Sequence, residues 1–157
     1  MTALPFDKDS VYVIEANIDD MNPQGFEYLF ERLFSDGALD AYLENIQMKK
    51  SRPAFKLSVI CECRDRDRMA AIIFGETTTI GLRYHRTDRL KLERSAVNVN
   101  TSGGRVGVKV SKGPGGILTV SPEYEECART ARKSGIAFKR IYDEAKAAAK
   151  PQGRIWR

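Results

Sequence analysis

Polar and apolar positions alternate along residues 11 to 19, "VYVIEANID". Tyr12, Ile14, Ala16 and Ile18 share one face, and Val13, Glu15, Asn17 and Asp19 share the other. That period predicts a half-buried strand with a polar second face. In "NPQGFEYLFERLFSDGALD" the period changes. Phe26, Leu29, Phe30, Leu33 and Phe34 recur at i, i+3, i+4, i+7 and i+8, the stripe of an amphipathic helix. Pro23 suits its first turn, with Asn22 or Asp20 as cap, and Gly37 closes it. "AYLENIQM" predicts a strand, "KKSRP" a basic turn and "FKLSVICEC" the second strand of a hairpin. "RDRDRMAAIIFGET" predicts a helix with Met69, Ile72 and Ile73 on its apolar stripe and Asp65 and Asp67 in its opening turn. "GLRYHRTDRLKLERSAVNV" predicts one long strand or two. The order β-α-β-β-α-β is the ferredoxin-like arrangement, an α+β fold. Its antiparallel sheet carries both helices on one face, and the domain is expected over residues 1–100.

Residues 101–150 predict an appended, smaller unit made of a β-hairpin and helices. "SGG" at 102–104 is a turn, and "RVGVKV" brings Val106, Val108 and Val110 onto one face. "KGPGG" at 112–116 is a second turn, leading into the short strand "ILTV". "SPEYEECARTARKSG" predicts a helix with Ser121 as cap, Pro122 at the first position and Gly135 at the end. "AFKRIYDEAKAAAK" predicts a last helix, and 151–157 a loose tail.

Composition narrows the class. The chain has 157 residues, 42% hydrophobic and 30% charged, an ordinary globular balance. No apolar run approaches the ~18 residues of a membrane span, and the polar N-terminus does not resemble a secretory signal, so a cytoplasmic protein with no membrane partner is expected. The net charge of +5 favours phosphate-bearing partners. The acids are interleaved throughout, and no paired-aromatic stacking motif stands out, so nucleic acid is not an expected partner. Three cysteines, an odd number, argue against a disulfide framework. Cys61 and Cys63 read as small strand residues sharing a face, since no second Cys/His pair completes a metal site. The single histidine, His85, reads as a surface strand residue.

Four polar clusters remain. Glu15, Asn17, Asp19 and Asp20 end a strand, and one or two such carboxylates suffice for a hard cation beside a phosphate. The plainer reading is a helix cap. Lys49, Lys50 and Arg52 crowd a tight turn, with point charges and a bidentate fork for oxyanions. The plainer reading is a hairpin tip. "ETTTIGLR" offers hydroxyls from Thr77, Thr78 and Thr79 between Glu76 and Arg83, or simply a β-branched linker. "SPEYEEC" reads as a helix start with acids in its first turn. The acidic strand end, basic turn and threonine loop are spaced to meet near one end of a single sheet. A triphosphate with its divalent ion needs that mixture. No GxxxxGK[ST] is present, so the site is not a P-loop.

Taken in order, "EANIDDMNPQ", "GALDAYLENIQMKKSRPAFKL", "ETTTIGLR" and "VKV…SPEYEEC" resemble the C-terminal domain of the LarC family. This is the nickel-insertion protein of nickel-pincer nucleotide biosynthesis. The resemblance runs over residues 11 to 145. It implies a CTP-dependent cyclometallase, a nickel insertase of the lyase class. Such an enzyme loads nickel into pyridinium-3,5-bisthiocarboxylic acid mononucleotide for lactate racemase. It cleaves CTP to CMP and pyrophosphate with magnesium or manganese. Carried onto this chain, the resemblance implies that Asp19, Asp20 and Glu76 hold the divalent ion. Lys49, Lys50, Arg52, Arg83, Thr77, Thr78 and Thr79 grip the triphosphate, and Glu123 and Tyr124 lie near the base or substrate. The family's histidine-rich N-terminal portion has no counterpart here, so this portion is expected to need that region as a partner and to form a homo-oligomer. The competing class is a non-catalytic ferredoxin-like module for oligomerisation or binding.

Overall fold

The computed structural model describes residues 6–113 and 118–150. Most of the turn expected at 112–116, the start of the "ILTV" strand and the tail at 151–157 lie outside the described residues. The chain folds as two compact units: Lys8–Arg89, and the residues on either side of that span.

The first unit holds most of β1 (Phe6–Ile18), then α1 (Gly25–Ser35), β2 (Asp40–Met48), β3 (Arg52–Glu62), α2 (Arg66–Glu76) and the start of β4 (Arg83–Thr101). Its strands lie in the order β2-β3-β1-β4. With βαββαβ connectivity this is the ferredoxin-like topology expected from the sequence. The β1–β3 and β2–β3 pairs are antiparallel. Register puts Ile14 opposite Val59 and Ala16 opposite Leu57. These residues share one buried cluster with Leu29 and Leu33 of α1 and Met69 and Ile73 of α2. Both helices therefore cover the same face. Each fully buried aliphatic side chain contributes ~1.5–3 kcal/mol of transfer free energy, so this face fixes the register of the whole unit.

The second unit takes the rest of β4, then β5 (Gly104–Lys112), β6 (Leu118–Pro122), α3 (Tyr124–Ser134) and α4 (Phe138–Ala148). Val106, Val108 and Val110 bury together, as their alternation predicts, against Cys127 of α3 and Ile141 and Ala145 of α4. Gly135 ends α3 in the left-handed region, at φ 72°.

Several local expectations are corrected. β1 begins at Phe6, not at residue 11, because its polar opening is held by distant partners. Asp9 pairs with Arg89, and Ser10 donates to Asp88 at 2.8 Å. Neither Asp20 nor Asn22 caps α1. Asn22 Oδ1 accepts from the Gln24 amide at 3.1 Å one turn earlier, and Gln24 occupies the cap position without a side-chain bond. Ser121 and Pro122 belong to β6, opposite Lys109 and Val108. Helix α3 starts only at Tyr124, after the Glu123 amide donates to the Gly107 carbonyl at 2.9 Å. Strand pairing here overrides the local Ser-Pro helix signal. Cys63 leaves the strand for a 3-10 turn, Cys63–Asp65, and is exposed, whereas Cys61 is buried. "GLRYHRTDRLKLERSAVNV" forms one strand, with His85 exposed on it. Among the described residues no helix is long and apolar enough to cross a membrane.

Candidate functional site

The polar face of β1 is the foundation of the site. Core packing turns Ile14, Ala16 and Ile18 toward the helices. Alternation then sends Glu15, Asn17 and Asp19 to the opposite face. On β3 the same register places Lys56 opposite Asn17 and Ser58 opposite Glu15. On β2, Glu44 lies opposite Lys56. A row of polar side chains thus crosses three strands.

Three pairs of groups converge at the C-terminal end of β1. Arg52 Nη1 lies 3.0 Å from Asp19 Oδ2. Thr78 Oγ1 donates to Asp20 Oδ1 at 2.5 Å. Arg83 Nε donates to Glu15 Oε2 at 2.9 Å, and its two terminal nitrogens reach Asn17 Oδ1 at 3.3 Å. Lys56 Nζ lies 3.4 Å from Glu15 Oε1 and also pairs with Glu44. Burial pushes the Glu15 carboxyl up in pKa. The hydrogen bond and charge of Arg83, then those of Lys56, outweigh that and hold it below its ordinary value. Glu44, followed by Glu15, raises the Lys56 ammonium against its own desolvation.

Beside these pairs stands the turn Lys49–Ser51. Lys50 has φ 60° and ψ 27°, and Ser51 has φ 56°, both in the left-handed region. A non-glycine residue there costs ~1–2 kcal/mol, so the turn holds two strained residues in succession. Lys49 and Lys50 are exposed and make no ion pair among the described residues.

The sequence-expected residues therefore divide. Asp19, Asp20, Arg52, Thr78 and Arg83 come together, with Lys49 and Lys50 on the adjoining turn. Glu76 faces Arg32 of α1, at 3.4 Å. Thr77 Oγ1 donates to the Ile73 carbonyl at 2.7 Å, and Thr79 Oγ1 to the Gly81 carbonyl at 2.8 Å. Those two hydroxyls shape the loop that presents Thr78. Glu123 and Tyr124 belong to the second unit. Glu123 pairs with Lys109 at 2.8 Å, and the exposed Tyr124 ring packs on Phe138 with centroids 5.3 Å apart. Lys56 and Glu44 join the row without having been expected there. The alternation of "FKLSVICEC", which buries Leu57 and Val59, carried the signal for Lys56.

The oxygen donors of Asp19, Asp20, Asn17 and Thr78 suit a hard divalent cation. Among the described residues no three His, Cys, Asp or Glu side chains form a ready-made cage. Such an ion would be held by one or two carboxylates and would complete its shell with phosphate oxygens and water, as magnesium commonly does.

Comparison with known proteins agrees with this fold. Residues 2–142 match the family model described as nickel insertion protein. The pyridinium-3,5-bisthiocarboxylic acid mononucleotide nickel insertion protein of Desulfitobacterium hafniense (strain Y51) is 48% identical over 137 residues, 87% of this chain and 34% of the relative. The protein of the same description from Thermotoga petrophila is 42% identical over 131 residues, 83% of this chain and 33% of the relative. The chain thus spans about a third of the length of the curated relatives it matches. Among solved structures, LarC2 is described as the C-terminal domain of a cyclometallase involved in synthesis of the NPN cofactor of lactate racemase. It superposes with a TM-score of 0.83 at 40% identity, covering 90% of this chain and 98% of LarC2. A Methanopyrus kandleri protein with a TM-score of 0.67 at 20% identity, covering 93% of this chain and 91% of its own, shares the fold. The chain belongs to the nickel insertion protein family.

Proposed function

We propose that this chain is the nucleotide-handling portion of a CTP-dependent nickel insertase, a cyclometallase that loads nickel into pyridinium-3,5-bisthiocarboxylic acid mononucleotide. Family membership and the names of the relatives support the nickel-insertion part. The observation that carries the nucleotide part is the convergence of Asp19–Arg52, Asp20–Thr78 and Glu15–Arg83 beside two lysines that make no ion pair among the described residues.

Each group has a role in that reading. Lys49 and Lys50 give point charges to the outer phosphates. Arg52 and Arg83 give forked donors that match phosphate oxygens. Exposed ion pairs are worth ~0–1 kcal/mol, so Arg52 exchanges Asp19 for a phosphate at little cost. Asp19 and Asp20 then face the divalent ion, which neutralises phosphate charge when it is bound with the nucleotide. Thr78 donates from the loop that Thr77 and Thr79 brace. Glu15 and Asn17 hold the Arg83 guanidinium in register. Glu76 is the weakest fit, because Arg32 already occupies it; its part is to fix the end of α2. Glu123 and Tyr124 belong to the second unit, where Lys109 and Phe138 engage them, and they have no part in this site. Cleavage of CTP to CMP and pyrophosphate consumes one water overall: an oxygen nucleophile bonds to the α-phosphorus in line as the α–β bond breaks, and the positioned cations favour this by stabilising charge on the leaving pyrophosphate. The part of the longer relatives that this chain does not span is the partner that handles nickel.

Joint incubation of this chain with that region, the mononucleotide, nickel, manganese and CTP tests the reading. Chromatography should show CMP release in step with nickel incorporation, and both should be lost in Lys49→Glu/Lys50→Glu. Nickel incorporation without CTP, or CTP turnover unaffected by the charge reversal, overturns it. The module reading instead predicts that the double variant loses assembly and leaves nucleotide turnover alone.

A further inference from the structure

The second unit carries a recess of about 450 Å³ lined by Gly103, Gly104, Arg105, Arg129, Thr130 and Lys133. That volume lies in the range of small-molecule sites. None of these residues belongs to the proposed CTP site. Three of the six carry positive charge and none carries negative charge.

The recess is built by a close approach. A Cβ on Gly103 would come within 2.6 Å of Ile141 Cδ1 and 2.8 Å of Ser134 Oγ, so only glycine lets the 102–104 turn seat against α3 and α4. Gly104 follows at φ 138°, which L side chains rarely adopt. The Ser102 amide donates to Glu144 Oε2 at 2.7 Å and ties the turn to α4. This clamp fixes where Arg105 leaves the turn.

The cations have little else to do. Arg129 and Lys133 stand at i and i+4 on α3, like charges that cost an isolated helix a few tenths of a kcal/mol. Arg129 reaches Glu126 only at 3.9 Å. Lys133 lies in the last turn, where the helix dipole welcomes a cation. Arg105 sits on a strand and has no such reason to be there. Neither Arg105 nor Lys133 makes an ion pair among the described residues.

We infer that this recess binds the phosphate end of a small molecule, its oxyanions held by Arg105, Arg129 and Lys133. The lining has no aromatic face, so it reads charge rather than a ring. Inorganic pyrophosphate and the 5′-phosphate of a mononucleotide share that chemistry.

Calorimetric titration of the full chain with inorganic pyrophosphate, orthophosphate and CMP, without divalent metal and at low salt, tests the inference. Pyrophosphate should bind, and in a Lys49→Gln/Lys50→Gln background, which removes the first-unit lysines, the remaining binding should weaken about tenfold or more when Arg105→Gln/Lys133→Gln is added. CMP binding tighter than pyrophosphate assigns the site to a nucleotide phosphate; pyrophosphate binding tighter than CMP assigns it to the free anion. Both Arg105 and Lys133 are exposed, and an unchanged melting temperature in the double variant shows that its fold is intact. Absence of binding by all three probes overturns the inference. So does binding that survives Arg105→Gln/Lys133→Gln and disappears in Lys49→Gln/Lys50→Gln, which would leave the anion in the first unit.

Discussion

Arg83 and Glu15, 68 residues apart in the chain, meet at 2.9 Å across the first unit. The same guanidinium also reaches Asn17. The start of β4 is thereby held to the polar face of β1, and the threonine loop that precedes it is held with it. Removing Arg83 should release the Glu15 carboxyl. In the wild type Glu15 titrates below its ordinary value. Its contribution to stability is therefore present above the unfolded value near ~4.3 and is lost as pH falls through the folded one. In Arg83→Gln the Glu15 carboxyl resonance should titrate at higher pH, and the acid limb of the stability curve should flatten. An unchanged Glu15 titration would show that the contact is not formed in solution.

Glu144 provides a second pH signature, in the other unit. The Ser102 amide, and after it Arg140, hold its pKa down to about 2. The stabilisation is fully present above the unfolded value and fades between there and pH about 2. Glu144→Gln should melt below the wild type at pH 7 and approach it near the acid end. A deficit that persists undiminished at low pH would point to packing, not charge.

Lys50 joins a strained backbone to a proposed phosphate contact. Lys50→Gly should stabilise the protein by about 1 kcal/mol in urea unfolding, because glycine accepts φ 60° without strain. The same change should weaken CTP binding. A variant that is both more stable and unimpaired would remove Lys50 from the site.

The three cysteines should separate by reactivity. Cys61 is buried, and burial, with smaller contributions from Asp65 and Cys63, pushes its thiol up to about 11. Cys127 is also buried and raised. Cys63 is exposed. A thiol reagent at pH 8 should modify one thiol per native chain quickly and the others only on unfolding. Rapid loss of more than one would contradict the burial of Cys61 and Cys127.

What the sequence disclosed and what it hid follow from range. The stripe Phe26, Leu29, Leu33 and the alternation of Val106, Val108 and Val110 are local patterns, and each buries the face it announces. The βαββαβ order follows from those patterns. The opening of strand β1 is not legible locally because "FDKDS" is polar, and its partners Asp88 and Arg89 lie about eighty residues away. Ser121 and Pro122 carry a helix-start signature, yet β5 claims them as a strand. In the site, Asp19, Asp20, Arg52 and Arg83 were legible as residue types near element ends. Their pairing was not, since Arg52–Asp19 and Arg83–Glu15 depend on register between strands. Glu76 shows the opposite case: adjacent to the threonines in sequence, it is directed to Arg32 by the packing of α2 on α1.

In the proposed function Asp19, Lys50 and Arg83 belong to one metal-dependent CTP site. Calorimetric titration of the chain with CTP, with and without manganese and with ATP and GTP as controls, tests it most directly. Binding should depend on manganese, prefer CTP, fall about tenfold or more in Lys50→Glu and Arg83→Gln, and lose its metal dependence in Asp19→Asn. Binding of no nucleotide, or CTP binding that is indifferent to manganese and to all three substitutions, would contradict it.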